Sequence, residues 1–292
     1  MIRDKRYPLL AKAEQGPVYQ RLSADEAEWS YLNFSAQNLK KGEIWEFDTG
    51  ENECAVVLLG GVCSVVSSKG EWKSFGRRPN VFSGMPYALY LPRHTQFTVT
   101  AESDELDFAC GWCPADEDFE PKLVSPGDSP IEIRGGGNAT RQINGILPPG
   151  FPSQRLVVVE VYTPAGSWSS YPPHKHDVHR EAEGGDILEA DLEEIYFYKI
   201  DKPGGFAIQR VYTDDLSLNE IAVAENNDIV MVPEGYHPVA AAPGYNVYYL
   251  NFLAGSAQSL ANIDDQKHTW LQQEWPEKDP RVPLVTMDME KE

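Results

Sequence analysis

Tyr171-Pro172-Pro173-His174-Lys175-His176-Asp177 decides the reading of this chain. On an extended backbone alternate side chains share a face, so His174 and His176 can aim both imidazoles at one point. Two later stretches supply what such a pair needs to hold a cation. Glu194 opens the strand-like run Glu194-Ile195-Tyr196-Phe197-Tyr198, and His237 follows the apolar run Asp228-Ile229-Val230-Met231-Val232-Pro233-Glu234-Gly235-Tyr236. Three histidines and a carboxylate suit a borderline divalent metal: Zn, Mn, Fe or Ni.

The order of these residues resembles the His-x-His, Glu, His set of the cupin β-barrel. In that set the carboxylate usually follows the second histidine by the interval that separates His176 from Glu181. Glu181, however, sits in the polar run His179-Arg180-Glu181-Ala182-Glu183-Gly184-Gly185-Asp186, whereas Glu194 begins a strand of aromatic residues. A ligand must be held to within tenths of an ångström, which a strand start does better than a loop. The metal set is therefore His174, His176, Glu194 and His237. By the same alternation Glu193 and Lys175 face away. His179 and His268 read as solvated histidines.

Hydrophobic residues make up 41% and charged residues 24% of the 292 positions, an ordinary soluble composition. No stretch approaches the roughly 18 apolar residues of a membrane span. Met1-Ile2-Arg3-Asp4-Lys5-Arg6-Tyr7-Pro8 lacks the apolar core of a secretory signal, which points to the cytoplasm. Asp and Glu number 45 against 25 Lys and Arg, a formal charge of −20. Such a surface repels phosphate backbones and excludes nucleic acid as a partner. It also means that a pocket for an anionic substrate must supply its own cations. The four cysteines are Cys54, Cys63, Cys110 and Cys113. Cys110-Gly111-Trp112-Cys113 has the CxxC form, but on a strand its two thiols face opposite sides, so buried free thiols are expected rather than a redox or zinc pair.

Gly (23) and Pro (22) punctuate short runs of Val, Ile, Tyr and Phe throughout, the pattern of many strands joined by turns. Strands are predicted over residues 42–48, 54–59, 62–67, 88–91, 96–101, 106–111, 155–162, 194–200, 206–212, 229–232 and 245–252. Helical signals are confined to residues 23–28, with a capping-box pattern, and 266–274. Tyr90-Leu91-Pro92-Arg93-His94 parallels Val232-Pro233-Glu234-Gly235-Tyr236-His237, and Leu58-Leu59-Gly60-Gly61 parallels Lys202-Pro203-Gly204-Gly205. A repeat of roughly 140 residues is one barrel's worth of chain. The expected organisation is an all-β bicupin: two antiparallel β-barrel (jelly-roll) domains over 1–128 and 129–270, and a tail over 271–292. The first barrel, with His94 alone, is expected to be metal-free and to serve packing, assembly into a homo-oligomer or the wall of the site.

Arg141 follows the run Arg134-Gly135-Gly136-Gly137-Asn138-Ala139-Thr140. The glycines suggest a phosphate loop, but neither GK[ST] nor GxGxxG is present. An arginine on a strand edge there suits a carboxylate clamp, its fork matching two oxygens. Tyr171, Tyr196, Tyr198, Tyr236 and Tyr249 surround the metal segments as core and pocket wall, and one hydroxyl could shuttle a proton. Glu194, Arg141 and Tyr249 are taken as the catalytic candidates.

Ser169-Ser170-Tyr171-Pro172-Pro173-His174-Lys175-His176-Asp177, Leu192-Glu193-Glu194-Ile195-Tyr196-Phe197-Tyr198 and Val232-Pro233-Glu234-Gly235-Tyr236-His237-Pro238 together resemble the 5-deoxy-glucuronate isomerases of inositol catabolism. That family is related to the 5-keto-4-deoxyuronate isomerases of pectin breakdown. The resemblance implies a bicupin with a divalent metal in its second barrel. It also implies aldose–ketose isomerisation of 5-deoxy-D-glucuronate to 2-deoxy-5-keto-D-gluconate. In the uronate isomerases the carboxylate ligand directly precedes a Val-Tyr-Phe-Tyr-type strand, which carries over to Glu194. The chain departs from those relatives in its long stretch between His176 and Glu194, expected to act as a lid. The metal would serve as Lewis acid and template, with an enediolate or a hydride shift as the two routes. An Fe(II) cupin dioxygenase and a non-enzymatic sugar-binding bicupin are the competing classes.

Overall fold

The protein is described here by a computed structural model over residues 9–291; Met1–Pro8, read above for a leader signal, lie outside the described residues. Nearly every regular element is a strand, and the strands form two copies of one arrangement. In the first half the large sheet runs Lys122–Val124, Tyr87–Leu91, Asn52–Gly60, Glu105–Pro114, Asn33–Lys40, Val18–Leu22 from edge to edge. In the second it runs Leu10–Ala11, Ile229–Val232, Leu192–Ile200, Val247–Gly255, Val157–Thr163, Arg141–Leu147, Ile131–Arg134. Each faces a four-stranded sheet. The first is Ile44–Asp48, Gln96–Ala101, Cys63–Ser67 and Gly70–Phe75; the second is Trp168–Ser169, Val239–Ala241, Ala207–Tyr212 and Asn219–Ala224. The central pairings are antiparallel. Each half is a jelly roll of two facing sheets rather than one continuously bonded barrel.

Strand alternation sorts the side chains into three cores. Along Leu192–Ile200, the residues Leu192, Tyr196, Tyr198 and Ile200 fill the interior of the second half, together with Val159, Val161 and Val230. Ile195 and Phe197 point the other way and pack on Phe34, Ala36, Ala55 and Val57 of the first half. The first half has its own interior around Cys54, Val56, Val99 and Phe108. The two large sheets thus stand back to back. Their approach is close enough that a Cβ on Gly111 would lie 2.3 Å from the Phe252 ring, so no larger residue fits there.

Polar side chains pin this apolar junction. Arg78 of the first half donates through Nη1 and Nη2 to both carboxylate oxygens of Glu160 in the second, with both residues wholly buried. Burial alone would lower the arginine's pKa, but Glu160 outweighs it and the net direction is upward. Asn144 and Tyr162 also donate to Glu160, which completes its shell. Glu193, on the outward face, accepts from the backbone N–H groups of Ser30, Tyr31 and Leu32, and Lys199 reaches Asp107 at 2.7 Å. The backbones also cross over. Leu10–Ala11 pairs with Ile229 and Val230 on the second half's edge, and Leu284 and Val285 donate to the Gln142 side chain.

The differences from the sequence reading have local causes. Ser23 and Glu26 do make the capping contact, yet residues 24–28 form only turns, because the chain reverses at Glu28 with φ 55° and buries Trp29. Over 266–274 only Leu271–Glu274 is α-helical. Asn33–Lys40 and Arg141–Leu147 are strands the periodicity did not reveal, since they direct Gln37, Gln142 and Asn144 inward. All four cysteines are buried and unbridged, with Cys110 and Cys113 in different cores.

Replacing Arg78 with Leu should cost about 3–5 kcal/mol in chemical denaturation, because Glu160 is left charged and buried. Pairing the change with Glu160→Met should recover most of that loss.

Candidate metal centre

Three segments bring the metal candidates together. The turn after Tyr171 delivers His174 on the two-residue strand His174–Lys175 and His176 just beyond it. Leu192–Ile200 presents Glu194 on its interior face, opposite Val232 in register, and His237 follows the strand that contains Val232. His176 Nε2 lies 2.9 Å from Glu194 Oε2, and His237 Nε2 lies 3.3 Å from the same oxygen. The His174 and His237 rings meet edge to face at 4.8 Å between centroids. Among the described residues, His176, Glu194 and His237 are the one set of three or more potential donors converging within 4.8 Å, with His174 beside them.

Backbone carbonyls orient the imidazoles. Nδ1 of His237 stands 2.8 Å from Gly235 O and Nδ1 of His176 stands 3.0 Å from Leu192 O, so each ring donates there and presents Nε2 to the centre. His174 is turned similarly toward Pro172 O, more loosely at 3.4 Å. Burial, together with the neighbouring cationic groups, holds the pKa values of His174 and His237 down at about 3, leaving both rings neutral as metal ligands must be. For His176 the burial effect is outweighed by Glu194 and the shift is upward. His237 Nε2 is buried without a properly aligned hydrogen bond, although Glu194 is near. A buried nitrogen with nothing to bond, aimed at a carboxylate and a second imidazole, is what a divalent cation would satisfy. The residues fit the group.

Glu181 is elsewhere. It pairs on the surface with His179, whose other nitrogen contacts Ser256 Oγ. The stretch between His176 and Glu194 folds into a small hairpin of Arg180–Glu181 and Ile187–Glu189, tied down by Arg180–Glu189 and by the Asp177 N–H on Glu189. It does not line the cleft, contrary to the expected lid. Lys175 faces away and bonds Asp214. His268 meets Tyr171 in a tilted contact, 5.8 Å between ring centroids.

The centre opens into an inner cavity of about 70 Å³ and an outer cleft of about 460 Å³ that share Arg134, Arg141, His174 and Asn262. Arg141 is buried. Its Nη1 donates to Tyr171 O at 2.8 Å, and it forms no ion pair among the described residues. Burial lowers its pKa. Arg134, by contrast, is held in a two-pronged pair by Glu132. Tyr249 and Tyr196 are buried in the inner cavity, linked through Ser170 Oγ at 3.3 and 3.1 Å. Burial raises the pKa of both phenols, which stay protonated. Ser170 was missed as a site residue; its φ of 49° cannot be read from sequence.

Sequence reasoning also missed the outer wall. Gln272, Trp275 and Lys278 close one side of the cleft. The glycine run seats Trp275 and Pro276: a Cβ on Gly136 would stand 2.6 Å from Trp275 Cβ, and one on Gly137 would stand 2.7 Å from the Pro276 ring.

The first half shows how the two halves differ at the centre. Cys54 pairs with Leu91 and Trp112 in the register by which Glu194 pairs with Val232 and Leu253. Cysteine and tryptophan thus stand where the carboxylate and leucine stand.

Comparison with known proteins places these features in a lineage. Residues 8–271 match the KduI/IolB family. The 5-deoxy-glucuronate isomerase of Geobacillus thermodenitrificans is 40% identical over 259 residues, 88% of this chain and 92% of that one. Its counterpart in Halalkalibacterium halodurans is 36% identical over 271 residues, 91% and 97% of the two chains. An IolB-like protein from Salmonella typhimurium LT2 superposes with a TM-score of 0.86 at 39% identity, covering 91% of this chain and all of that one. Lactobacillus farciminis oxalate decarboxylase superposes at 0.62 with 12% identity over 98% and 96% of the chains, a likeness of fold alone.

His237→Ala should abolish stoichiometric binding of a divalent metal, read by elemental analysis, while circular dichroism stays that of a folded β protein. Glu194→Gln should lose metal far more than Glu181→Gln. The opposite ranking would move the ligand to the loop.

Proposed function

The chain belongs to the KduI/IolB family, and on that premise we propose that it is a 5-deoxy-glucuronate isomerase interconverting an acidic aldose and its ketose. The observation that carries the reading is the pairing of two features on one cleft: a buried set of metal-ligand side chains and a buried arginine with no carboxylate partner. No helix among the described residues is long and apolar enough to cross a membrane, and the reading places the reaction in the cytoplasm.

The reaction moves a hydrogen from C2 to C1 and a proton from the C2 hydroxyl to the C1 oxygen, with no net oxidation. Binding comes first. A chain of net charge −20 repels a sugar carboxylate at long range, so the site needs a local cation. Arg141 supplies it, and an incoming carboxylate replaces the counterion this buried guanidinium lacks. Trp275 and the glycine run wall the outer cleft and limit water around the bound sugar. At the reacting end Tyr249 and Tyr196, protonated and joined through Ser170, can donate to a substrate oxygen as its charge grows and recover the proton afterwards. A divalent cation held by His174, His176, Glu194 and His237 would supply Lewis acidity that eases removal of the C2 hydrogen. In this assignment Glu194 acts through its donor oxygen.

Arg141→Ala should raise KM for the acidic sugar with a smaller change in kcat, and Arg141→Lys should restore only part of the loss, because an ammonium lacks the two-pronged geometry. Tyr249→Phe should lower kcat roughly 10²-fold with KM little changed. An unchanged kcat would remove Tyr249 from the proton path.

A further inference from the structure

We propose that the first half holds a second carbohydrate site, in the cleft that duplicates the isomerase pocket, and that it takes a neutral cyclic polyol or pyranose without a metal. The cleft has a volume of about 440 Å³ and opens between the large sheet's Val18–Leu22 and Asn33–Lys40 and the small sheet's Ile44–Asp48. Such a volume falls within the usual range for small-ligand sites.

Its lining has the two components that sugar recognition requires. Trp45, Phe47 and Trp112 are all half-buried and form a continuous aromatic wall: Trp45 and Phe47 stack at 5.1 Å, and Phe47 meets Trp112 at 5.0 Å. Their faces suit the C–H side of a ring. Opposite, Ser35 and Gln37 project from one strand onto the same interior face. Ser35 Oγ is buried without a hydrogen-bond partner, and Gln37, two residues along the same face, is only 2% exposed. Unpaired buried polar groups are costly and need a reason. A hydroxyl-rich ligand supplies one.

The duplicated half acts as an internal control. Ser35 and Gln37 pair with Cys110 and Phe108 as Val159 and Val161 pair with Asn251 and Tyr249. At the equivalent positions the isomerase pocket is therefore apolar. The first half carries Cys54 at the position of Glu194, and Ser35 and Gln37 at the positions of the two valines. No buried, unpaired arginine like Arg141 lines this cleft, and Arg21 and Glu26 on its rim offset one another, so the ligand is neutral.

The test is calorimetric titration of the full chain with D-glucose and with myo-inositol, using D-glucuronate as the anionic comparison. At least one neutral probe should bind saturably with a dissociation constant on the order of 1 mM, one per chain. Gln37→Leu should weaken it at least about tenfold while isomerase kinetics and the thermal midpoint are unaffected, and Trp45→Phe should weaken it less. Arg141→Ala should leave it unchanged. If Gln37→Leu unfolds, Ser35→Ala serves in its place. The proposal is overturned if neither neutral probe saturates, if D-glucuronate binds the cleft as well as they do, if the cleft variants bind normally, or if Arg141→Ala removes the binding, which would place it in the isomerase pocket.

Discussion

A strand can offer its side chains to only two sides, and Leu192–Ile200 uses both completely. Its even-numbered residues face the second half's interior and include the carboxylate of the candidate metal centre. Its odd-numbered residues face the first half, with Glu193 and Lys199 bonded across the junction and Ile195 and Phe197 packed into it. A one-residue slip would exchange the two sets and move Glu194 to the junction. Thus the position of the chemistry and the attachment of the halves are fixed by a single register. The neighbouring pairings with Ile229–Val232 and Val247–Gly255 hold that register from both sides.

Apolar packing between two sheets is non-directional, so it does not by itself choose how the halves are turned against each other. The buried polar contacts do. Arg78 meets Glu160 with two nitrogens, and Glu53 of the first half accepts the N–H groups of Gln154, Arg155 and Leu156 in the second. Hydrogen bonds of this kind tolerate little rotation. They make the back-to-back sheets one orientation rather than a family of orientations.

What could be read beforehand follows the same logic. That His176, Glu194 and His237 would converge could be anticipated because histidine and glutamate stand out against strands of Tyr, Phe, Val and Ile. The strands that were legible carry apolar residues on their inward face, whether the other face is apolar, as in Leu192–Ile200, or polar, as in Gln96–Ala101. Asn33–Lys40 and Arg141–Leu147 were not, because their inward positions carry Ser35, Gln37, Gln142 and Asn144. Polarity directed into a molecule looks, in one dimension, like a loop. The capping pattern at Ser23 was real chemistry, but it met a buried Trp29 that turned the chain before a helix could propagate. The roles of Gln272, Trp275 and Lys278 were hidden for another reason. They line the cleft because Trp275 and Pro276 lie against Gly136 and Gly137, and sequence distance gives no hint of that contact.

The edge strand Leu10–Ala11 has a bearing on biosynthesis. It leaves the ribosome long before Ile229 and Val230, with which it pairs, and Lys12 must likewise wait for Asp228. During translation the early segment therefore has no sheet to join, while the late strand emerges with an open edge of the kind prone to pairing with other chains. That pairing is a long-range closure, of a kind slow relative to local strand pairing. The second half's sheet is thus completed by a segment from the start of the chain, and crowded nascent chains are exposed to mispairing until that closure is made.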